Sequence, residues 1–115
     1  MDPGAFVGPT CLQFLSLEEN AIRSVDGLAG IQTLQIVRLA FNRLADTARV
    51  EAMSGLTRLA EVTLNNNPLA RKPMYRASVL KRLAGLRVLD GREVTQEERE
   101  QVGVAPVYFE GRVAL

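Results

Sequence analysis

Three asparagines, Asn20, Asn42 and Asn67, close three copies of one short pattern, and their side chains offer hydrogen-bond chemistry. The copies read LQFLSLEENAI (12–22), LQIVRLAFNRL (34–44) and LAEVTLNNNPL (59–69), and each fits L-x-x-[LV]-x-L-x-x-N-x-[IL]. A carboxamide both donates and accepts, so it can satisfy backbone groups of a turn and of the neighbouring copy. The spacing predicts a structural asparagine ladder. The alternative is a catalytic or ligand-binding asparagine row.

Catalytic chemistry has little support in the residue types. The chain contains no histidine, no metal-ligand spacing, no glycine-rich phosphate loop and no nucleophile elbow. The acidic pair Glu18–Glu19 is expected on a solvated surface, where nothing would raise a carboxyl pKa. Cys11 is the single cysteine, so it fits a small residue ahead of the first strand better than a reactive thiol. We expect no enzyme activity, no cofactor and no metal.

Length, composition and net charge argue against several other classes of protein. A length of 115 residues with 47% apolar and 23% charged residues fits one globular domain. A net charge of +1 gives no reason to expect a nucleic-acid partner, and no stretch approaches the ~20 apolar residues of a membrane span. The first ten residues lack the features of a secretory signal, and the lone cysteine fits an intracellular setting.

The pattern predicts the elements that hold these residues. Leucines and valines at positions one, four and six of each copy should point into one core, with a short strand around positions three to five. Strands of successive copies should pair in parallel, because no copy can bury its apolar face alone. The positions that should form this core are Leu12, Leu15, Leu17, Leu34, Val37, Leu39, Leu59, Val62 and Leu64.

The segments between the strands differ in their periodicity. Apolar residues follow Asn20 at intervals of three, which predicts 3₁₀ turns. The segment after Asn42 predicts an α-helix that begins at Asp46 or Thr47 and ends at Gly55. A second helix should run from Pro73 to Gly85, with Tyr75, Val79, Leu80 and Leu83 as its apolar stripe.

The chain should end in a cap. Residues 86–89 predict a fourth, degenerate strand, and Thr95 with Glu98 forms a capping box for a helix Gln96–Gln101 whose Glu97, Glu98, Arg99 and Glu100 face solvent. The predicted divisions are an N-terminal tail (1–11), three repeats (12–85), a C-terminal cap (86–101) and a C-terminal tail (102–115). The tail is apolar, and the sequence leaves open whether it folds back on the cap.

The residues also carry a family resemblance. NPLARKPMYRASVLKRLAGLRVLDGREVTQEERE (67–100) resembles the C-terminal cap of intracellular leucine-rich repeat proteins of the phosphatase-regulator-like class, which has repeats of roughly 22 residues. With the repeats, the resemblance covers residues 12–101. That class includes a regulatory subunit of protein phosphatase 1, the spliceosomal U2 A-prime protein, tubulin-folding cofactors and axonemal proteins. The wording NNNPLARKPMYR is most similar to large ciliary multi-repeat proteins.

The resemblance implies an α/β leucine-rich repeat solenoid, with a short parallel sheet on its concave face and 3₁₀ or α-helical segments on its convex face. Concave strand positions supply the candidate partner-binding residues, with an apolar cluster of Phe14, Ile36 and Phe41 beside Arg38. The full set is Phe14, Ser16, Glu18, Ile36, Arg38, Phe41, Glu61, Thr63 and Asn65. The competing interpretation is that the three apolar residues only pack against neighbours.

We therefore predict a non-enzymatic scaffold that holds an extended segment or helix of another protein on its concave face. The expected location is the cytoplasm, at a cilium, a flagellum or the cytoskeleton. Two alternatives remain: a U2 A-prime-like scaffold for an RNA-binding protein, and a protein phosphatase regulatory module. The edge of the first strand has three interpretations: the sequence is a fragment of a longer solenoid, which we favour, the edge pairs with another chain, or the N-terminal tail covers it. The oligomeric state is open.

Basic residues crowd the C-terminal third, and we expect them to form an ordinary solvent face; the alternative is a phosphate-binding surface. They are Arg71, Lys72, Arg76, Lys81, Arg82, Arg87 and Arg92.

Overall fold

The computed structural model describes residues 11–103, 108–109 and 112–113. Short strands alternate with helical segments along the chain. The strands are β1 (Phe14–Ser16), β2 (Ile36–Arg38), β3 (Glu61–Thr63), β4 (Val88–Leu89), β5 (Arg92–Glu93), β6 (Tyr108–Phe109) and β7 (Arg112–Val113). The helices are α1 (Tyr75–Arg82) and α2 (Gln96–Val102), and the 3₁₀ helices are η1 (Asp26–Leu28), η2 (Thr47–Met53) and η3 (Pro68–Arg71).

One five-stranded sheet runs through the repeats in the order β1-β2-β3-β4-β5. The first four strands are parallel and in register, so residues at one pattern position form a row across the sheet. Leu15, Val37, Val62 and Leu89 make one such row, and the last three are fully buried. The predicted stacking of successive strands is confirmed.

The core lies between this sheet and the helical segments. Leu39 and Leu64, which follow β2 and β3, are fully buried, whereas Leu17 in the first repeat is partly buried. The first repeat has a described neighbour on one side, which accounts for the difference.

Replacing Leu64 by alanine should cost about 2–5 kcal/mol of unfolding free energy, as for other buried leucines.

The asparagine ladder joins neighbouring repeats. Asn42 donates through its Nδ2 to the carbonyl of Leu39 in its own repeat and to that of Leu17 in the preceding one, both at 2.9 Å. Its Oδ1 accepts from the backbone N–H of Ile22 at 3.1 Å. Asn67 repeats the arrangement one step along, with carbonyls of Leu64 and Leu39 and the N–H of Leu44. The predicted structural role of these residues is confirmed.

Asn20 takes a reduced form of the same role. It is exposed, and its Nδ2 donates to the carbonyls of Leu17 and Glu18 within its own turn. The first ladder member therefore closes a turn and, among the described residues, makes no side-chain hydrogen bond to another repeat.

The helical segments follow a period of three more closely than the sequence suggests. The 3₁₀ turn predicted after Asn20 is confirmed by η1. The α-helix predicted after Asn42 is wrong, because Thr47–Met53 is a 3₁₀ helix. Within this segment the backbone N–H of Arg49 donates to the carbonyl of Asp46, three residues earlier. The side chain of Asp46 caps the start of the helix, as predicted. The buried side chains lie three residues apart: Val50, Met53 and Leu56.

The third connection contains two helices. A 3₁₀ helix that we did not predict, η3, follows Asn67, and α1 begins at Tyr75, two residues after the predicted Pro73. Met74 precedes α1 with a φ of 60°, and it is 73% exposed. Val79, Leu80 and Leu83 are buried and Tyr75 is partly buried, as the predicted stripe requires.

The sheet ends in a tight hairpin. β4 is the predicted fourth strand, and β5 pairs with it antiparallel through the two-residue turn Asp90-Gly91. Both turn residues have positive φ, 53° and 76°, which matches the primed turns that fit the twist of a hairpin. Asp-Gly is a strong hairpin signal that sequence analysis overlooked.

Asp90 also ties the cap to the third repeat. One carboxylate oxygen accepts from the backbone N–H groups of Leu64 and Asn65, at 2.7 and 3.1 Å. The other accepts from the Tyr75 hydroxyl at 2.7 Å. Burial, followed by the hydrogen bond to Asp90, raises the pKa of Tyr75 far above its usual value, so its hydroxyl stays protonated and donates.

The cap helix α2 begins with the predicted capping box of Thr95 and Glu98. The predicted solvent face is wrong in part. Arg99 is buried and donates to the backbone carbonyls of Ala84 and Leu86, so it fills acceptors left open at the end of the third helical connection.

Arg76 corrects the expectation of a basic solvent face. Its guanidinium is ion-paired with Glu98 and also donates to the backbone carbonyls of Leu89, Arg92 and Glu93. A single arginine on α1 thus holds the β4–β5 hairpin and α2 in place. Arg71, Lys72 and Lys81 are exposed as expected.

Part of each predicted tail lies outside the described residues. Cys11 is exposed, and residues 1–10 are not described. Near the C-terminus, β6 and β7 pair antiparallel, Tyr108 with Val113 and Phe109 with Arg112. The contacts that concern folding of the tail onto the cap, and cover over the edge of β1, lie outside the described residues.

Replacing Asn67 by alanine should lower the free energy of unfolding by about 2–4 kcal/mol, because buried backbone groups of two repeats lose their partner. Asn20→Ala is the matched control. Its contacts stay within one exposed turn, so the cost should be about 0.5 kcal/mol. Urea unfolding of both variants measures the difference, and equal losses would contradict a ladder that couples the repeats.

Acid should weaken the cap through Glu98. The hydrogen bond from Arg76 lowers the pKa of Glu98 from 4.5 to about 2. A lowered folded-state pKa means that the unfolded state binds the proton first, so this stabilisation is complete above pH about 4.5 and is lost as pH falls towards 2. Urea unfolding of wild type and Glu98→Gln across this range should show the difference between them shrinking with acid. A constant difference would contradict the assignment.

Candidate functional site

The exposed face of the sheet carries the predicted partner-binding residues in two rows. Phe14, Ile36 and Glu61 lie side by side across β1, β2 and β3, and Val88 of β4 continues their row. A second row contains Ser16, Arg38 and Thr63. These side chains alternate along each strand with the buried row, so they lie on the sheet face opposite the core.

An apolar group occupies the β1 end of this face. Phe14 is 47% exposed, although it is one of the larger apolar side chains of the chain, and Ile36 beside it is half-buried. The guanidinium carbon of Arg38 lies over the Phe14 ring, 5.2 Å from its centroid, in a cation–π contact. The structure therefore brings Phe14, Ile36 and Arg38 together.

Phe41 lies beyond the strand, in the turn before Asn42, and is 51% exposed. Its φ of 60° is in the left-handed region, which a bulky side chain rarely adopts. The equivalent residues of the other repeats, Glu19 and Asn66, have φ values of 58° and 61°. The turn geometry is thus a property of the repeat, and the aromatic side chain is particular to the second repeat.

Five polar candidates remain, and four of them are exposed or half-buried with differing chemistry. Ser16 and Asn65 are exposed, while Glu18 and Glu61 are half-buried. Neither glutamate has a cation of the described residues within ion-pair distance, because the described ion pairs join Glu98 to Arg76 and Arg92. Both carboxylates therefore contribute negative charge to the face.

Thr63 contributes less than its sequence position suggests. Its hydroxyl oxygen is covered, and it has no hydrogen-bond partner among the described residues. A partner molecule could reach other atoms of this half-buried residue, but not the hydroxyl. Asp90, which follows β4, is also unavailable to a partner because its carboxylate accepts from the backbone N–H groups of Leu64 and Asn65 and from the Tyr75 hydroxyl.

A second concavity lies away from the sheet, between α1 and α2. It has a volume of about 420 Å³. Its lining residues are Met74, Tyr75, Arg76, Ala77, Leu80, Glu98, Gln101 and Val102. Sequence analysis missed this groove, because it depends on how two helices from different parts of the chain are packed.

The described residues contain no cluster of histidine, cysteine, aspartate and glutamate that could hold a metal ion. Among the same residues, no helix is long and apolar enough to cross a membrane.

Comparison with known proteins identifies the architecture. The family described as Leucine-rich repeat matches residues 7–113, nearly the whole chain. The chain belongs to the leucine-rich repeat family. The family accounts for the parallel rungs, the buried leucines and the asparagine ladder, and it is typically a protein–protein interaction module. The narrower phosphatase-regulator-like class remains a prediction.

Curated relatives of the leucine-rich repeat chain are longer than it is. The U2 small nuclear ribonucleoprotein A′ of Emericella nidulans is 31% identical over 93 residues, which is 76% of this chain and 39% of that protein. The Centrosomal protein of 72 kDa of Mus musculus is 32% identical over 100 residues, 84% of this chain and 16% of that protein. The Geranylgeranyl transferase type-2 subunit alpha of Sus scrofa is 35% identical over 69 residues, 60% and 12%. The chain thus spans only part of each.

Solved structures give the same fold. A chain in the Drosophila melanogaster SNF/U2A′ complex is similar with a TM-score of 0.75 and 31% identity, over 80% of this chain and 54% of that one. A chain of the Chaetomium Mex67:Mtr2 subunits is similar with a TM-score of 0.63 and 26% identity, over 79% and 62%. Both structures contain more than one protein.

Replacing Phe41 by asparagine should leave the fold intact and raise the free energy of unfolding by about 0.5–1 kcal/mol, because asparagine tolerates the left-handed turn better than phenylalanine. Asn66 already occupies the equivalent position of the third repeat. Urea unfolding measures the change. A loss of stability would show that the exposed ring packs against its own chain. Phe41→Val is the control: a β-branched residue is strained in the left-handed turn, so this variant should be destabilised whether or not the ring packs.

Proposed function

We propose that this leucine-rich repeat chain is a non-catalytic interaction module that holds another protein against the exposed face of its sheet. The observation that carries the proposal is the apolar pair of Phe14 and Ile36 beside Arg38, with Phe41 in the turn after β2 and both phenylalanines about half exposed. Aromatic and arginine side chains at the centre of an interface commonly supply most of the binding free energy. These side chains lie outside the core cluster, so packing of the core does not account for their presence on this face.

The proposed partner element is an extended segment or a helix. A short parallel sheet presents rows about 4.8 Å apart, so one apolar stripe on a partner helix can contact several strands at once. Glu61 pairs with Ile36 and Ser16 pairs with Arg38, while Glu18 and Asn65 follow β1 and β3. These four polar residues would form the rim of the interface. Thr63 would lie under the bound segment without donating from its hydroxyl.

A second candidate function is capture of an RNA-binding protein. It is supported by the similarity to the chain of the SNF/U2A′ complex, which covers 80% of this chain at a TM-score of 0.75. In that arrangement the partner would supply RNA contacts and this chain would supply a protein-binding surface. A net charge of +1 is consistent with this division of roles.

We also propose a cytoplasmic location in a cytoskeletal assembly. The similarity to a protein named for the centrosome supports this proposal, over 84% of the chain. Imaging a fluorescently tagged full-length protein tests it, and a wholly nuclear signal would favour the ribonucleoprotein alternative.

Ile36→Glu should abolish partner capture while changing the melting temperature little, because the side chain lies on the exposed face and outside the core cluster. Gln35→Glu is the matched control. It introduces a carboxylate at the adjacent exposed residue, which is not a member of either row, and should leave capture unchanged. Affinity purification with tagged variants, followed by mass spectrometry, measures capture. Retained capture by Ile36→Glu would move the site elsewhere.

The ribonucleoprotein alternative has a direct test. Purified SNF from Drosophila melanogaster should bind this chain by calorimetry if the two repeat proteins share a partner surface, and Ile36→Glu should eliminate the heat of binding. If the wild-type chain does not bind SNF, the ribonucleoprotein alternative is excluded and the proposal of a general interaction module is unaffected.

A further inference from the structure

Arg38 is the one cation in the two rows of the exposed sheet face, among the described strands. Its side chain is exposed, and within the described residues its contact is the Phe14 ring rather than a carboxylate. The described ion pairs both involve Glu98 in the cap, so neither reaches this face.

The neighbours of Arg38 make this arrangement informative. Arg38 pairs in register with Ser16 on one side and Thr63 on the other, so Phe14 and Glu61 are its diagonal neighbours within the strands. Diagonal positions on adjacent strands are within reach of a long side chain. The guanidinium lies over the ring on β1, and the Glu61 carboxylate on β3 is left without an ion pair.

A cation–π contact engages the positive charge of the guanidinium and uses none of its N–H donors. Those donors form a rigid fork that matches the two oxygens of a carboxylate. The contact also restrains the side chain, which reduces the conformational entropy lost when a ligand binds. Phe14 thus presents the Arg38 fork next to an apolar surface.

We infer that this face selects a partner segment with an aspartate or glutamate next to an apolar anchor, the carboxylate binding Arg38 and the anchor covering Phe14 and Ile36. This inference rests on the proposed function and specifies the chemistry of its partner. A phosphate backbone would also suit an isolated arginine. Glu61 lies diagonally opposite this one on β3, however, and Glu18 and Glu19 follow β1, so a run of phosphates would meet several negative charges where a single carboxylate needs to meet Arg38 alone.

Selection from a random-peptide phage library tests the inference with a defined probe. Wild-type protein should enrich peptides that carry an acidic residue beside an aromatic or aliphatic one. Arg38→Glu should reverse the charge preference and enrich lysine or arginine at that place. Arg58→Glu is the matched control, because it makes the same charge change at an exposed arginine outside the strands, and it should select the same acidic peptides as wild type.

A binding cycle then isolates the contact. Replacing the acidic residue of a selected peptide by alanine should weaken binding to wild type about fivefold, the upper range for an exposed charge pair, and less than about twofold in Arg38→Ala. The wild-type effect should also shrink at high salt.

The outcomes separate two failures. This inference would be overturned if the selected peptides depend on Ile36 but show no charge preference, or if Arg38→Glu does not reverse that preference. The proposed interaction module would be unaffected. A wild-type selection that yields no peptide sensitive to Ile36→Glu would overturn both. Peptides that prefer basic residues in wild type would assign recognition to Glu61 instead.

Discussion

The buried carboxamides of Asn42 and Asn67 are the constraint on which the rest of the structure depends. Parallel strands of three residues carry few hydrogen bonds of their own, and the chain must leave each strand through a turn whose carbonyls point into the protein. Each carboxamide satisfies carbonyls of two repeats and one backbone N–H. Because both repeats are bound to the same side chain, the strands stay in register, and the leucines behind them form one continuous core.

The last repeat solves the same problem with different residues. Asp90, in the turn between β4 and β5, joins the cap to the third repeat from a different position than the ladder asparagines, accepting from two backbone N–H groups of that repeat and from Tyr75. Arg76 and Arg99 donate to backbone carbonyls at the cap. The cap is therefore held by charged side chains where the repeats are held by amides, which explains the buried Arg99 and the half-buried Arg76 in this part of the chain.

The same architecture leaves one sheet face free for recognition. A residue that lies between two core leucines on a strand must point away from the core, so its type is not dictated by packing. In this chain those positions hold Phe14, Ile36 and Arg38, together with uncompensated carboxylates. An exposed aromatic ring under a guanidinium contributes little to a solenoid core. This makes the face, rather than the helical side or the cap, the basis of the proposed function.

The sequence by itself determined the repeat, its parallel rungs, the ladder asparagines, the capping box and the rows of the sheet, because period-two strands and fixed repeat spacing dictate which residues are neighbours. It also named the candidate face, whose role in binding stays a prediction. The tertiary structure alone decided that Thr47–Met53 is 3₁₀ and that Arg76 and Arg99 are structural. It also decided that Asp90 is occupied, that the Thr63 hydroxyl is covered and that Arg38 lies over Phe14. Each of these depends on which backbone carbonyls and side chains from distant segments meet, and no local pattern specifies that.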